Sequence, residues 1–200
     1  MDTIEDLIRT RRSIRRYQET AVPQSLIEQI LNAAMWAPSA HNRQPWRFAV
    51  MSQFTQKARL ANAMGNKLRQ DRTKDGDPTE DIEKDVARSY ARLTQAPVII
   101  IICLSMSDMD HYPDEHRSSA ERVMTIQSVA MAAQNLLLLA HQHGLGACWV
   151  CAPLFVPGLV RDTCQLPCSW EPQGLITLGY PAQEKVKTRQ DWRSKVRFLS

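Results

Sequence analysis

The sequence predicts a single α+β domain over residues 1–200. Three observations carry that expectation. Val98-Ile99-Ile100-Ile101-Ile102-Cys103-Leu104 is continuous and β-branched, as in a central strand buried on both faces. From about Ser118 to His143 runs a long helical pattern, apolar around most of its circumference and ended by Gly144, a natural residue just past a helix C-terminus. No internal repeat, low-complexity tract or linker divides the chain.

Each further element follows from local pattern. Asp2 with Glu5 three residues on has capping-box spacing and opens a helix through about Thr10, with a narrow apolar face at Leu7 and Ile8. Pro23 to Met35 fits a second helix, because Leu26, Ile27, Ile30 and Leu31 recur at helical spacing and Pro suits a first turn. Trp46 to Met51 reads as a short strand. Gln53 to Gln95 is helical but polar and is broken by Lys74-Asp75-Gly76-Asp77-Pro78. Two exposed helices forming an excursion are expected there, a suitable lid or substrate wall. Pro97 stops this excursion, and Ser105 to Glu115 is loop. In the long helix, Val123, Ile126, Ala130, Ala133, Leu137 and Ala140 form one stripe, while Met124, Met131, Leu136, Leu138 and Leu139 widen it. Such a helix must be buried on most sides, which favours a central helix shared with a second subunit. Strands are expected at Ala147–Cys151 and Gly174–Leu178, with a short helix around Pro157–Gln165 between them. The tail from Gln183 is polar, with Trp192 and Phe198 as anchors.

Composition narrows the function classes. A net charge of +4 permits anionic ligands without requiring nucleic acid, whose readers carry a stronger basic stripe. The N-terminus lacks a basic segment followed by a long apolar one, so no secretory signal is expected. The run from Val98 to Leu104 is too short to span a bilayer, and Thr125, Gln127, Ser128, Gln134 and Asn135 interrupt the long helix. No membrane association is expected. Five cysteines in a chain this large need not be a disulfide framework, and a reduced, cytoplasmic protein is the simplest reading.

Two segments read as halves of one site. Arg11-Arg12-Ser13-Ile14-Arg15-Arg16-Tyr17 supplies guanidinium forks and a hydroxyl, which match phosphate oxygens. Ala37-Pro38-Ser39-Ala40-His41-Asn42-Arg43-Gln44-Pro45-Trp46 supplies amides and backbone groups suited to the rim of a flat heterocycle. The bland alternative for the first is a solvated helix end, where cations are also favoured. Cys148-x2-Cys151 and Cys164-x3-Cys168 imitate zinc-ribbon spacing, but strand alternation points Cys148 and Cys151 to opposite faces. Buried or incidental thiols therefore rank above zinc, and no metal site is expected. Asp108, Asp110, His111 and His116 read equally well as a loop turning toward the long helix. His141 and His143 diverge at their spacing. GxGxxG, P-loop, GxSxG and HExxH patterns do not occur.

Taken together, Arg-Arg-Ser-x-Arg-x-Tyr, Ala-Pro-Ser-x-x-Asn-x-Gln-Pro-Trp-x-Phe, Gly144-Leu145-Gly146-Ala147-Cys148-Trp149 and Leu178-Gly179-Tyr180-Pro181 resemble the FMN-dependent nitroreductase superfamily along nearly the whole chain. His111-Tyr112-Pro113-Asp114, Ala133-Gln134-Asn135-Leu136-Leu137 and Trp149-Val150-Cys151-Ala152-Pro153-Leu154-Phe155 are similar to the reductase domain fused to the γ-glutamyl ligase of deazaflavin coenzyme biosynthesis, although no ligase portion is present.

The resemblance implies a nitroreductase-like three-layer fold. In it a central, mixed but mostly antiparallel sheet is flanked by helices, with a long central dimerisation helix and FMN at the interface of a homodimer. It implies phosphate and ribityl contacts from Arg11, Arg12, Ser13 and Arg15, and ring contacts from Pro38, Ser39, Asn42 and Gln44. Backbone N–H groups around Val150 and Cys151 would meet the ring where many relatives carry Pro-x-Glu-Gly. Lys195 and Arg197 occupy the place of a C-terminal basic pair that reaches the phosphate. His41 and Arg43 are candidate substrate contacts.

With FMN as the reactive group, no classical catalytic side chain is required. The expected activity is hydride transfer from reduced FMN to a conjugated or nitroaromatic small-molecule substrate, with a reduced nicotinamide or deazaflavin as electron donor. A sharper version reduces a dehydro intermediate of deazaflavin coenzyme synthesis. The non-enzyme alternative is a flavin-binding sensor or an oligomeric binding module.

Overall fold

The computed structural model describes residues 3–199. Strands β1 (Trp46–Met51), β2 (Val98–Leu104), β3 (Gly146–Val150) and β4 (Glu171–Gly179) form one sheet in the order β1-β2-β4-β3. All three pairings are antiparallel. The sheet is therefore less mixed than expected: among the described residues, parallel pairing outside the strands is confined to the isolated bridge Ser13↔Ala147.

β2 is buried along its whole length because its alternating side chains feed two cores. Val98, Ile100, Ile102 and Leu104 pack with α2 (Gln24–Met35) and α5 (Glu115–Gln142). Ile99, Ile101 and Cys103 pack on the opposite face with α3 (Phe54–Lys74), α4 (Thr79–Thr94) and α6 (Pro157–Thr163). Burial pushes the Cys103 thiol up to about 12, so it remains a protonated apolar filler. Three layers result.

The helix starts and the excursion depart from expectation in instructive ways. Asp2 lies outside the described residues, and the capping box of α1 (Ile4–Thr10) is formed by Thr3 and Asp6, each accepting from the other's N–H at 3.1 Å. Pro23 is the residue before α2 rather than inside it. The polar excursion is not free-standing. Leu60, Ala61 and Leu93 bury its base against the sheet, Val86 packs beside Gly65 between the two helices, and Arg69–Glu83 and Arg72–Asp85 pair across its outer half. Lys57, 5% exposed, closes that base by donating to the Ala96 carbonyl at 2.5 Å.

α5 also sits differently from its apolar stripe. Ala133, Leu137 and Ala140 are buried as expected, but Val123 and Ile126 are 48% and 38% exposed. Glu121, Thr125 and Ser128 occupy the inward positions instead, with the two hydroxyls donating to carbonyls one turn back. α5 is long and apolar enough to cross a membrane by length and composition, but its packing against α2, β2 and β3 makes it a core helix. Trp192 and Phe198 are 54% and 83% exposed, so they do not anchor the tail on this chain.

Residues 13–17 lie against the outer edge of β3, and Gly146 is what lets them approach. A Cβ there would fall 2.7 Å from Ile14 Cβ. The Tyr17 hydroxyl sits 2.6 Å from the Ile14 carbonyl oxygen and 2.7 Å from Thr177 Oγ1, fastening the segment to β4. Gly146→Ala is expected to destabilise the fold by about 1–3 kcal/mol through overpacking, read as a lower urea midpoint at unchanged slope.

Candidate functional site

The end of α1 and the start of the tail build a cationic cleft. Arg12, Ser13, Arg15, Lys185, Lys187 and Arg189 line a space of about 230 Å³. No ion pair joins any of these cations to a carboxylate among the described residues. Arg12 partly fills the role of a helix-end cation: its Nη1 donates to the Arg9 and Arg11 carbonyls at 2.6 and 2.8 Å, and Nη2 to the Lys187 carbonyl at 3.1 Å. Its Nε is buried without a partner, as is Gln183 Nε2 nearby. Arg11 is held below the ordinary arginine value, first by burial and then by repulsion from Arg189 and Arg12. Orphaned donors and crowded like charges are relieved by an anion.

At the other end of β3 lies a mostly apolar cavity of about 140 Å³. Val150 and Ala152 form one wall, Met64, Gly65 and Leu68 of α3 another, and Ser89 and Arg92 of α4 a third. Arg92 is half-buried and no hydrogen bond or ion pair is recorded for it among the described residues. From Ala147, beside Ser13, to Val150 is about 10 Å of strand, the reach of a short phosphate ester chain. Cys151 is exposed just past β3, and its Sγ accepts from Trp149 Nε1 at 3.0 Å.

The Pro38–Trp46 segment is elsewhere. It leads into β1, at the opposite edge of the sheet from β3, and Trp46 is level with Leu104 and Glu171 rather than with Ala147 and Leu178. Four strand spacings of about 4.8 Å and a rise of about 3.3 Å per residue put Trp46 and Ser13 on the order of 30 Å apart. One chain therefore does not bring the two segments together.

That loop is locally strained. His41, Asn42 and Gln44 have φ of 50°, 54° and 50°, a region non-glycine residues rarely adopt. Side chains over-determine it: Ser39 Oγ accepts from the Gln44 N–H at 3.1 Å, Ser128 Oγ from the Ala40 N–H at 3.2 Å, and Arg43 pairs with Asp110. Pro38, His41, Asn42, Arg43 and Gln44 are exposed, with Ser39 half-buried.

Among the expected tail contacts, Lys195 and Arg197 are exposed and do not line the cationic cleft, which takes Lys185, Lys187 and Arg189 instead. Those three carried no signal beyond tail charge. Arg92 was likewise one charge among many on a polar helix.

The pattern of the Nitroreductase family matches residues 8–180. The chain belongs to that family of oxidoreductases, as its segments led one to expect. A protein from Methanothermobacter thermautotrophicus, described as a candidate NADH dehydrogenase/NAD(P)H nitroreductase, is 36% identical over 92% of this chain and 79% of its own length. An NADH dehydrogenase from Thermus thermophilus is 30% identical over 87% of this chain and 84% of its own. A candidate nitroreductase from Desulfovibrio desulfuricans, solved in complex with FMN, superposes with a TM-score of 0.75 at 26% identity, covering 100% of this chain and 98% of that one.

The cleft predicts anion binding by itself. Millimolar inorganic phosphate is expected to raise the melting temperature by roughly 2–4 °C, the response of a chain this size to about 1 kcal/mol of ligand binding. Arg15→Ala combined with Lys187→Ala should abolish most of that rise, with sodium chloride at matched ionic strength as the control.

Proposed function

We propose that this chain is an FMN-dependent oxidoreductase that passes electrons from a reduced nicotinamide to a conjugated or nitroaromatic acceptor. The observation that carries the reading is the pairing, along β3, of a cationic cleft with an orphaned Arg12 Nε and an apolar cavity beside Arg92, which has no ion pair among the described residues. A phosphorylated, flat, largely apolar cofactor answers both halves. Supporting this, the neighbour from Desulfovibrio desulfuricans was solved with FMN, and the relatives above carry NADH or NAD(P)H in their names.

When bound, reduced FMN supplies the hydride. The chain's own residues bind and polarise. Arg11, Arg12, Ser13 and Arg15, with Lys187 and Arg189, would hold the phosphate. Backbone around Val150 and Cys151 would be available to contact the ring. Arg92, at the wall of a mostly apolar cavity, would supply a fixed positive charge to balance negative charge on a reduced flavin bound there.

The Pro38–Gln44 contacts would come from a second copy of this chain. The two segments sit at opposite sheet edges, so two copies complete two sites. Val123, Ile126 and Met131 form an outward apolar stripe on α5, next in kind to the exposed Trp36 and Phe155, and a second copy would cover these surfaces. Lys195 and Arg197, at the end of an exposed tail, would then also serve the dimer. His41 and Arg43 would line the substrate side, with the charge of Arg43 already balanced by Asp110.

The sharper deazaflavin reading gains nothing from the contacts. Asp114 caps α5 by accepting from the Arg117 N–H, and Tyr112 supplies its carbonyl to Ser118 and its ring to Arg117, so that segment reads as a helix start. We therefore keep the acceptor as a conjugated or nitroaromatic compound.

Reconstitution with FMN tests the proposal. Bound yellow flavin that is reduced by NADH or NADPH and reoxidised by a nitroaromatic compound is the expected result. Failure to bind added FMN overturns it, and binding without substrate-dependent reoxidation makes the protein a flavin-binding sensor. Arg92→Met should slow turnover by roughly 100-fold and lower the flavin potential, leaving FMN retention nearly intact. Ile126→Glu should reduce dimer mass and flavin content together in light scattering.

A further inference from the structure

The strained loop, the Ser105–Asp114 loop and α5 meet at a cluster whose two carboxylates the flavin reading does not use. The ligand-capable atoms of His41, Asp110 and Glu121 all lie within 4.8 Å of one another. Glu121 has no exposed surface. Its Oε1 accepts from the Asp110 N–H at 3.2 Å, while Oε2 is buried with no partner. A carboxylate oxygen withdrawn from water and left unpaired is strongly unfavourable, so this position calls for a cation. Arg43 does not supply it, because its guanidinium is engaged with Asp110 Oδ1.

We infer that His41, Asp110 and Glu121 bind one divalent transition-metal ion, Zn²⁺ by preference. An organic ammonium group is too bulky for an oxygen with no accessible surface. Mg²⁺ and Ca²⁺ demand six or more oxygen ligands, whereas an imidazole with two carboxylates is a donor set for Zn²⁺. Bonds of about 2.0–2.2 Å set tetrahedral ligand atoms about 3.3 Å apart. His41 is exposed and Asp110 half-buried, so small side-chain rotations close the set around the fixed Glu121. Asp110 keeps Oδ2 for the ion while Arg43 orients the carboxylate through Oδ1, as an outer partner of a metal ligand does. Water takes the fourth position.

The ion would staple the left-handed His41–Asn42 turn to α5. It would give the buried Glu121, in line with Thr125 and Ser128 on the inner face of α5, the partner its second oxygen lacks. None of the three residues lines the cationic cleft or the β3 cavity, and His41 alone is shared with the flavin reading, as a substrate-side contact.

The test uses the full chain, stripped with EDTA and titrated with Co²⁺ and then Zn²⁺. One ion per chain is expected, with visible tetrahedral Co²⁺ bands, no thiolate charge-transfer band, and a higher melting temperature on Zn²⁺ addition. Glu121→Gln, which preserves shape and the Oε1 acceptor, and Asp110→Asn, at the half-exposed position, should each weaken Zn²⁺ binding at least about tenfold. Circular dichroism establishes that each variant is folded, and Asp110→Asn decides the matter if the buried variant is not. Substoichiometric metal, affinity unchanged in the folded variants, or a thiolate band assigning the ion to the cysteines would overturn the site. Flavin absorbance of the same samples reports on the oxidoreductase reading separately.

Discussion

The approach of Ile14 to Gly146 is the contact on which the site depends. It lays the segment that follows α1 along the edge of β3, and it does so only because residue 146 has no side chain. Tyr17 then fastens the segment to β4, and the tail is drawn in by Arg12 and by the backbone bonds from Gln18 to Tyr180 and from Ala182 to Arg16. The cationic cleft is a consequence of those contacts. So is its distance from the β3 cavity, because a single strand acts as the ruler between them.

β2 makes the rest of the scaffold rigid. Its seven residues are all buried, feeding α2 and α5 on one face and the α3–α4 hairpin with α6 on the other. The hairpin's inner turns are therefore core, and its outer turns are held by cross-helix ion pairs of arginine with glutamate and aspartate. Such exposed pairs contribute little individually. What positions Arg92 is the burial of Leu93 and Thr94 beside it. A cation presented to an apolar cavity by a packed helix end is pre-organised, which suits it to stabilise charge without rearrangement.

Polarity on the inner face of α5 links the fold to the strained loop. Ser128 holds Ala40, and Glu121 holds Asp110, which in turn pairs with Arg43. Three left-handed residues within four positions cost on the order of 1 kcal/mol each, and these contacts offset that cost. The outward face of the same helix is correspondingly apolar at Val123, Ile126 and Met131.

By itself the sequence determined the elements. Val98–Leu104 and Trp46–Met51 are strands at the expected boundaries, because β-branched runs and flanking prolines are local signals. The arginine segment and the Pro38–Trp46 turn were also legible as clusters of polar donors and acceptors from residue type alone. Only the tertiary structure decided where that chemistry goes. Strand order set the two segments at opposite sheet edges, and chain path brought Lys185, Lys187 and Arg189 beside Arg12 and Arg15. Packing chose Glu121, Thr125 and Ser128 for the interior of α5 over Val123 and Ile126. Periodicity reports how apolar a helix face is, but which face turns inward depends on partners distant in sequence, and no local pattern carries that information.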